Sequence, residues 1–161
     1  MEEKLIVRKA KSEDVNIVLN FIKALAEYEK LTHEVTATPE LLLRTLFSEN
    51  STAKALLGYY AGKPVCFAIY FYNFSTFKGK PGLYLEDVFV LPEMRGKGFG
   101  KQMLTELARI AKENDCGRFE WSVLDWNEPA INFYRSLGAK PMNDWTVFRL
   151  DEEGIKNLAA Q

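Results

Sequence analysis

One stretch of the chain decides its fold: residues 83–104, LYLEDVFVLPEMRGKGFGKQML. Its first half is a β-branched and aromatic run that predicts a strand and contains the adjacent acids Glu86 and Asp87. The run breaks at Pro92, and a loop rich in glycine and basic residues leads into a helical pattern. Such a strand–loop–helix unit can present backbone N–H groups to an anion at the helix N-terminus. The stretch therefore predicts a phosphate-binding loop close to two carboxylates.

Spacing excludes two common phosphate-binding loops. A Walker loop, with Gly100-Lys101 as its Gly-Lys pair, would have Arg95 at its first glycine and Gln102 at its magnesium-binding hydroxyl. A dinucleotide fingerprint, Gly-x-Gly-x-x-Gly, fails from either possible starting glycine. The pattern that remains is Arg95-x-x-Gly98-x-Gly100.

Composition limits the function further. The 161 residues, 47% hydrophobic with a net charge of −1, fit one globular domain over residues 1–161 and argue against a dedicated nucleic-acid binder. We find no apolar leader and no apolar run long enough to span a membrane, so we expect a cytoplasmic protein without a membrane partner. His33 is the single histidine, and Cys66 and Cys116 lack a CxxC spacing, which leaves no material for a zinc site or a Ser-His-Asp triad.

Hydrophobic periodicity predicts strands interleaved with helices, hence a mixed sheet with helices on its faces. Ser12 is the expected N-cap of the first helix, and Thr38-Pro39 is the expected start of the second. The predicted elements are, in order, a strand at 5–8, the two helices, strands at 53–60 and 64–74, a loop at 73–82, the central strand at 83–91, a helix at 98–114, a strand at 119–124, a helix at 128–137 and a final strand at 145–150.

Three segments together resemble a known family. The Arg95-x-x-Gly98-x-Gly100 pattern is similar to the acyl-CoA pyrophosphate loop of the GNAT N-acetyltransferases. With LDWNEPAINFYRSLGA at residues 124–139 and IKALAEYEKL at residues 22–31, the chain resembles the spermidine/spermine (diamine) acetyltransferase branch and its thialysine-acetylating relatives. The resemblance covers nearly the whole chain.

The resemblance implies the α/β (α+β) GNAT acyl-CoA N-acyltransferase fold, in which helices flank a mixed, mostly antiparallel central sheet. It also implies acetyl-CoA as co-substrate, no metal, and a homodimer. The expected acetyl-CoA contacts come from the end of the central strand, the glycine-rich loop and one asparagine: Val88, Phe89, Val90, Arg95, Gly96, Lys97, Gly98, Phe99, Gly100, Lys101 and Asn127. Asn127 is also well placed to cap the helix that begins near Pro129.

Acetyl transfer to an amine needs a group that collects a proton. An alkylammonium with a pKa of about 10.4 is free amine in only about one part in 2,500 at pH 7, a deficit of about 4.6 kcal/mol. A carboxylate can take that proton directly or through water. Strand alternation sends Glu86 and Asp87 to opposite faces unless a bulge intervenes. The resemblance implies general-base work for Glu86 and a contact with the substrate charge for Asp87, and the alternative is that both are solvated or ion-paired strand residues.

The resemblance implies that Tyr134 is the general acid for the departing thiolate. A phenol with a pKa of about 10 is a weaker acid than a thiol of about 8.5, so full protonation is uphill by about 2 kcal/mol. Hydrogen bonding to the sulfur would still stabilise developing charge. The alternative is that Phe133 and Tyr134 only pack as an aromatic pair.

The sequence offers fewer candidate residues for contacting the amine than for contacting acetyl-CoA. By the same resemblance, Tyr28 and Glu29 lie near the amine pocket, and Phe77 stands where the family usually has a tryptophan. Relatives carry an acidic insertion before the residue that matches Trp145, whereas this chain has only KPMND there. We therefore expect an N-acetyltransferase acting by direct attack on a diamine, a polyamine or a lysine-like amino acid, with long polyamines disfavoured. The alternatives are acetylation of protein lysines or N-termini, and a non-catalytic CoA-binding module.

Overall fold

The computed structural model describes residues 4–161. The chain divides into two compact units, of which the first ends at Ser122 and the second is Val123–Gln161. The single domain expected over residues 1–161 stays a prediction.

A five-stranded sheet forms the centre of the first unit, with strand order β1-β2-β3-β4-β5. All neighbouring strands are antiparallel except β4 and β5, which are parallel. The strands are β1 Ile6–Lys9, β2 Ala53–Tyr60, β3 Lys63–Ser75, β4 Lys80–Val90 and β5 Arg118–Trp121. The mixed, mostly antiparallel sheet is confirmed, although the predicted loop at 73–82 is wrong in extent, because the β3–β4 ladder continues to Ser75 and Lys80 and leaves a four-residue turn.

Three α-helices belong to the described part of the first unit: α1 Val15–Tyr28, α2 Pro39–Thr45 and α3 Phe99–Glu113. Thr38 caps α2 as predicted, because its hydroxyl accepts a hydrogen bond from the Leu41 N–H at 3.2 Å. The predicted N-cap role of Ser12 is wrong, since Ser12–Asp14 form a single turn of 3-10 helix ahead of α1. The Asp14 carboxylate organises that turn by accepting from the Lys11 N–H at 2.8 Å and pairing with Arg8 at 2.7 Å.

Apolar side chains cover both faces of the sheet. On one face, which we call the α1 face, the rings of Phe21 and Phe67 stack with centroids 5.2 Å apart. The buried cluster on this face consists of Val18, Phe21, Ala55, Leu57, Phe67, Ile69 and Phe89. Helix α3 lies on the other face, which we call the α3 face, and its residues Met103 and Leu107 are fully buried.

The second unit contains α4 Glu128–Ser136 and α5 Glu152–Ala159. The predicted final strand at 145–150 is wrong, because these residues form neither a strand nor a helix. Their β-branched and aromatic composition favours a strand only where a neighbouring strand supplies the ladder. Helix α5 was not predicted, although Asp151 caps it by accepting from the Gly154 N–H at 2.8 Å. Among residues 4–161 we find no helix with the length and apolar character that a membrane crossing needs.

Candidate active site

The β3–β4 ladder contains a bulge at Glu86. Ile69 pairs with Asp87, whereas the next residue, Tyr70, pairs with Leu85, so Glu86 is an extra residue in β4. Directly opposite residues share a sheet face, which places Asp87 with Ile69 on the α1 face and Leu85 with Tyr70 on the α3 face. The pleat after Leu85 sends Glu86 to the α1 face as well. The bulge therefore gathers both acids on one face.

Glu86, Asp87 and Glu29 form a group of three carboxylates that we call the acid cluster. Asp87 is half-buried, and burial raises its pKa to about 7, with further contributions from the charges of Glu86 and Glu29. Glu29 is the residue directly after α1, and burial raises the pKa of its carboxyl group too. Glu86 is exposed to solvent. Because each negative charge disfavours the others, the cluster is suited to a cation that enters from solvent.

Aromatic rings border the acid cluster. The ring of Tyr28, next to Glu29, lies 6.1 Å from the ring of Phe89, which is two residues after Asp87 on the same face. The Arg95 guanidinium lies over both rings, with its Cζ 4.6 Å from the Tyr28 centroid and 5.2 Å from the Phe89 centroid. The structure therefore brings the predicted amine-site residues Tyr28, Glu29 and Asp87 together.

The end of β4 has an open edge. Its parallel pairing with β5 runs from Gly82 to Leu85, and within the described part of the chain no strand continues it beside residues 86–90. The Leu91 N–H donates to the Val65 carbonyl of β3 at 2.9 Å, and the trans peptide points the Val90 carbonyl the opposite way, toward the open edge. Since residues two apart repeat the same orientation, the backbone groups of Val88 face this edge as well. An amide-containing ligand can pair with such an edge as an added strand would.

The glycine-rich loop joins this edge to α3. Gly96 and Gly98 have positive φ angles of 78° and 82°, which glycine adopts without strain. Gly98 is the N-cap of α3, and having no side chain it leaves the first N–H groups of the helix to an external acceptor. Lys97 and Lys101 are exposed beside them. The loop therefore has the backbone dipoles and the positive charge that a pyrophosphate needs.

An open groove of about 400 Å³ runs along the first turns of α3. It is lined by Gly98, Lys101, Gln102, Thr105 and Glu106. Gln102 and Thr105 were not among the predicted contacts, although their spacing from Gly98 is that of one exposed helix face. Phe99, by contrast, is buried and its ring lies 5.0 Å from that of Tyr60, so only its backbone can contact a ligand here.

Phe77 lies apart from the acid cluster. It is in the turn between β3 and β4, fully exposed at 101% relative accessibility. Six residue steps of β3 separate Ser75, at the base of this turn, from Ile69 opposite Asp87. At about 3.3 Å a step, this is about 20 Å. The structure does not bring Phe77 together with Tyr28, Glu29 and Asp87 in one chain.

The remaining two predicted site residues belong to the second unit. Asn127 is buried and caps α4, with its Oδ1 accepting from the Ala130 N–H at 3.4 Å, as the sequence predicts. Tyr134 is half-buried on α4, and its ring centroid lies 5.7 Å from that of Phe133. The aromatic pair is therefore real, and it does not preclude a role for the Tyr134 hydroxyl.

The comparisons with known proteins agree with this geometry. Residues 20–139 match the model of the acetyltransferase (GNAT) family. The chain is 34% identical to a thialysine N-epsilon-acetyltransferase of Sus scrofa over 98% of each chain. It is 32% identical to a human spermidine/spermine N(1)-acetyltransferase-like protein, over 95% of this chain and 23% of that protein. An integron cassette protein from the mobile metagenome of V. cholerae has a similar structure, with a TM-score of 0.80, 27% identity and 98% of each chain covered.

The predicted family and branch are therefore confirmed, and so is the fold. The family match covers the bulge with both acids, the open edge of β4, the glycine-rich loop and all of α4. This chain belongs to the acetyltransferase (GNAT) family and is an N-acetyltransferase.

Proposed function

We propose that the protein transfers the acetyl group of acetyl-CoA to a primary amine of a small molecule, either a lysine-like amino acid or a short diamine. The acid cluster carries this proposal, because three carboxylates share the α1 face beside the open edge of β4. A site of this charge favours a cationic acceptor. The name of the Sus scrofa relative, which refers to a sulfur analogue of lysine, supports the same class of substrate.

The residues of the first unit fit acetyl-CoA. Its pyrophosphate would accept hydrogen bonds from the N–H groups that open α3, next to Lys97 and Lys101. Its pantetheine, an amide-rich chain, would pair with the backbone of Val88 and Val90 along the open edge. This path ends at Glu86 and Asp87, where β4 and β5 part.

The acid cluster would do two jobs on the amine. Asp87 and Glu29 would hold the ammonium by charge, and a bound cation would favour the ionised form of Asp87. Glu86, exposed on the bulge, would take the proton directly or through water before the amine attacks the thioester carbonyl. The tetrahedral intermediate would then collapse and expel CoA as a thiolate.

Tyr134 would assist the departing sulfur by hydrogen bonding, and Asn127 would contact CoA while it caps α4. Direct attack is favoured over an acetyl-cysteine intermediate. Burial raises the pKa of the Cys66 thiol to about 12, so Cys66 is a poor nucleophile at neutral pH.

The homodimer implied by the resemblance is also a proposal. Apolar side chains of the second unit support it, because Trp145 is 77% and Phe148 93% exposed in the single chain. Sedimentation velocity at graded concentrations tests it, and a monomer at all concentrations would refute it.

An acetyl-transfer screen tests the activity itself. Thiol release from acetyl-CoA is followed with amino acids and diamines of graded length, and with lysine-containing peptides as the comparison. We expect turnover with L-lysine, thialysine or short diamines. Turnover of peptides alone would refute the proposed substrate class.

A further inference from the structure

Arg95 begins the predicted pyrophosphate loop, yet its side chain lies elsewhere. Its guanidinium covers the rings of Tyr28 and Phe89 at 4.6 and 5.2 Å. Its Nε donates to the Val90 carbonyl at 3.2 Å. Arg95 thus contacts the aromatic border of the amine site and the open edge of β4 at the same time.

The contact with Val90 concerns acetyl-CoA. The Val90 carbonyl points to the open edge, where the pantetheine amides would pair. A ligand amide that donates to this carbonyl takes the place of the Arg95 Nε–H. The pyrophosphate then offers the same guanidinium a charge-assisted, forked contact, which is stronger than a hydrogen bond to a neutral carbonyl.

The contact with Tyr28 concerns the amine. A ring face is attractive to a cation within about 6 Å of its centroid, and Arg95 already occupies that position. Glu29 adjoins Tyr28, and Asp87 lies two residues before Phe89 on the α1 face. A substrate ammonium held by these carboxylates would therefore compete with the guanidinium for the same aromatic surface.

On the basis of the proposed function, we propose that Arg95 is a gate shared by the two substrates. In the free protein it covers the Tyr28 ring and the Val90 carbonyl. Acetyl-CoA draws Arg95 toward the pyrophosphate, which uncovers the Tyr28 face for the amine. The amine therefore binds tightly only after the acyl donor, and Arg95 acts as a positioning residue.

Calorimetry tests the coupling, with L-lysine as the amine and CoA as a donor analogue that cannot transfer. In the wild type, saturating CoA should raise the affinity for L-lysine at least about fivefold. In Arg95→Gln, L-lysine should bind the free protein about as tightly as it binds the wild-type CoA complex, and CoA should change that affinity less than about twofold. Lys97→Gln is the matched control, since it removes one charge from the same loop and should weaken CoA binding yet keep the coupling. The proposed gate would be overturned if CoA raised the L-lysine affinity as much in Arg95→Gln as in the wild type, or if CoA had no effect on that affinity in the wild type.

A second measurement needs no amine. The Nε–H resonance of Arg95 in a ¹⁵N-labelled protein, assigned by its loss in Arg95→Gln, should move when CoA saturates the protein. An unmoved resonance despite bound CoA would refute the gate and leave the proposed acetyl transfer standing. Failure of the proposed function would instead show as no acetylation of any amine in the screen.

Discussion

The ring of Phe99, the first residue of α3, lies 5.0 Å from the ring of Tyr60 at the end of β2. Phe99 is buried, so this contact fixes the helix start against the sheet. The N–H groups that follow the glycine-rich loop are thereby held in place before any ligand arrives, which reduces the entropy lost on binding.

Gly98→Ala should weaken acetyl-CoA binding by at least about tenfold. The φ of Gly98 is +82°, where an alanine is strained by about 1–2 kcal/mol, and its methyl group would stand where the pyrophosphate approaches. Gly62→Ala, in the β2–β3 turn, is the matched control, because Gly62 has a φ of +73° and equally open surroundings. Both variants should lose similar stability in thermal melts, while calorimetry should show loss of affinity in Gly98→Ala alone. Equal affinity for acetyl-CoA in the two variants would show that the glycine-rich loop is not part of the acetyl-CoA site.

Asp87→Asn should stabilise the protein above pH 7. The pKa of Asp87 is about 7 in the folded chain against about 3.9 when unfolded, so the folded state binds the extra proton between these values. Stability of the wild type therefore falls as the pH rises from about 4 to 7, and asparagine escapes this loss. For a half-buried group we expect a gain of about 1–3 kcal/mol above pH 7 that vanishes below pH 4. Denaturant melts at pH 4 and pH 8 measure it, and an equal difference at both pH values would contradict the raised pKa.

The KM for the amine should rise as the pH falls through about 7. Protonation of Asp87 removes a charge that would hold the ammonium, and its pKa of about 7 places the change there. In Asp87→Asn the KM for the amine should be high at every pH, so its dependence on pH around 7 should disappear. Steady-state kinetics from pH 5.5 to 8.5 provide the check, with the KM for acetyl-CoA as the internal control because it should keep its own pH profile in both proteins.

Glu86→Gln should lower kcat about 10²–10⁴-fold, the usual effect of losing a general base. Tyr134→Phe should be less harmful, because a phenol is a weaker acid than the thiol it would protonate. The loss in Glu86→Gln should shrink at high pH, where more of the amine is already neutral. Pre-steady-state rates measured across pH separate the role of Glu86 as a base from that of Tyr134 at the leaving thiolate. If Tyr134→Phe is slower than Glu86→Gln at every pH, our ranking of the two residues is wrong.

Short diamines and lysine-like amino acids should have a higher kcat/KM than spermine. By the family resemblance, relatives carry an acidic insertion before the residue that matches Trp145, where this chain has only KPMND. Each exposed charge contact missing there would remove about 0.2–1 kcal/mol. A tenfold preference for spermine, about 1.4 kcal/mol in transition-state binding, would show that other acids replace the insertion.

Much of the local structure around the candidate site could be predicted from the sequence, because these elements are defined by local patterns. The glycine spacing before α3, the cap at Thr38 and the cap at Asn127 depend on residues close in sequence. The bulge at Glu86 could not be predicted, since residues 83–91 are apolar on both sides of the acids and no alternation marks the change of phase.

Contacts that depend on distant partners were also missed. The sequence predicts Arg95 as an acetyl-CoA contact, but it gives no sign of the rings that the side chain covers, which come from α1 and from β4. Residues 145–150 have the composition of a strand but no neighbouring strand in the described chain. In both cases the outcome depends on tertiary contacts, which a local sequence pattern does not contain.

Because Glu86 is the extra residue of the bulge, the pairing of β4 with β3 does not depend on it. Without Glu86 the sequence of β4 would alternate perfectly, with Leu83 and Leu85 on the α3 face, Asp87 and Phe89 on the α1 face, and every pairing with β3 preserved. A deletion of one codon would thus yield an uninterrupted strand, with one carboxylate where there were two. On the proposed role of Glu86, such a deletion would remove the general base while every strand pairing of the sheet remains.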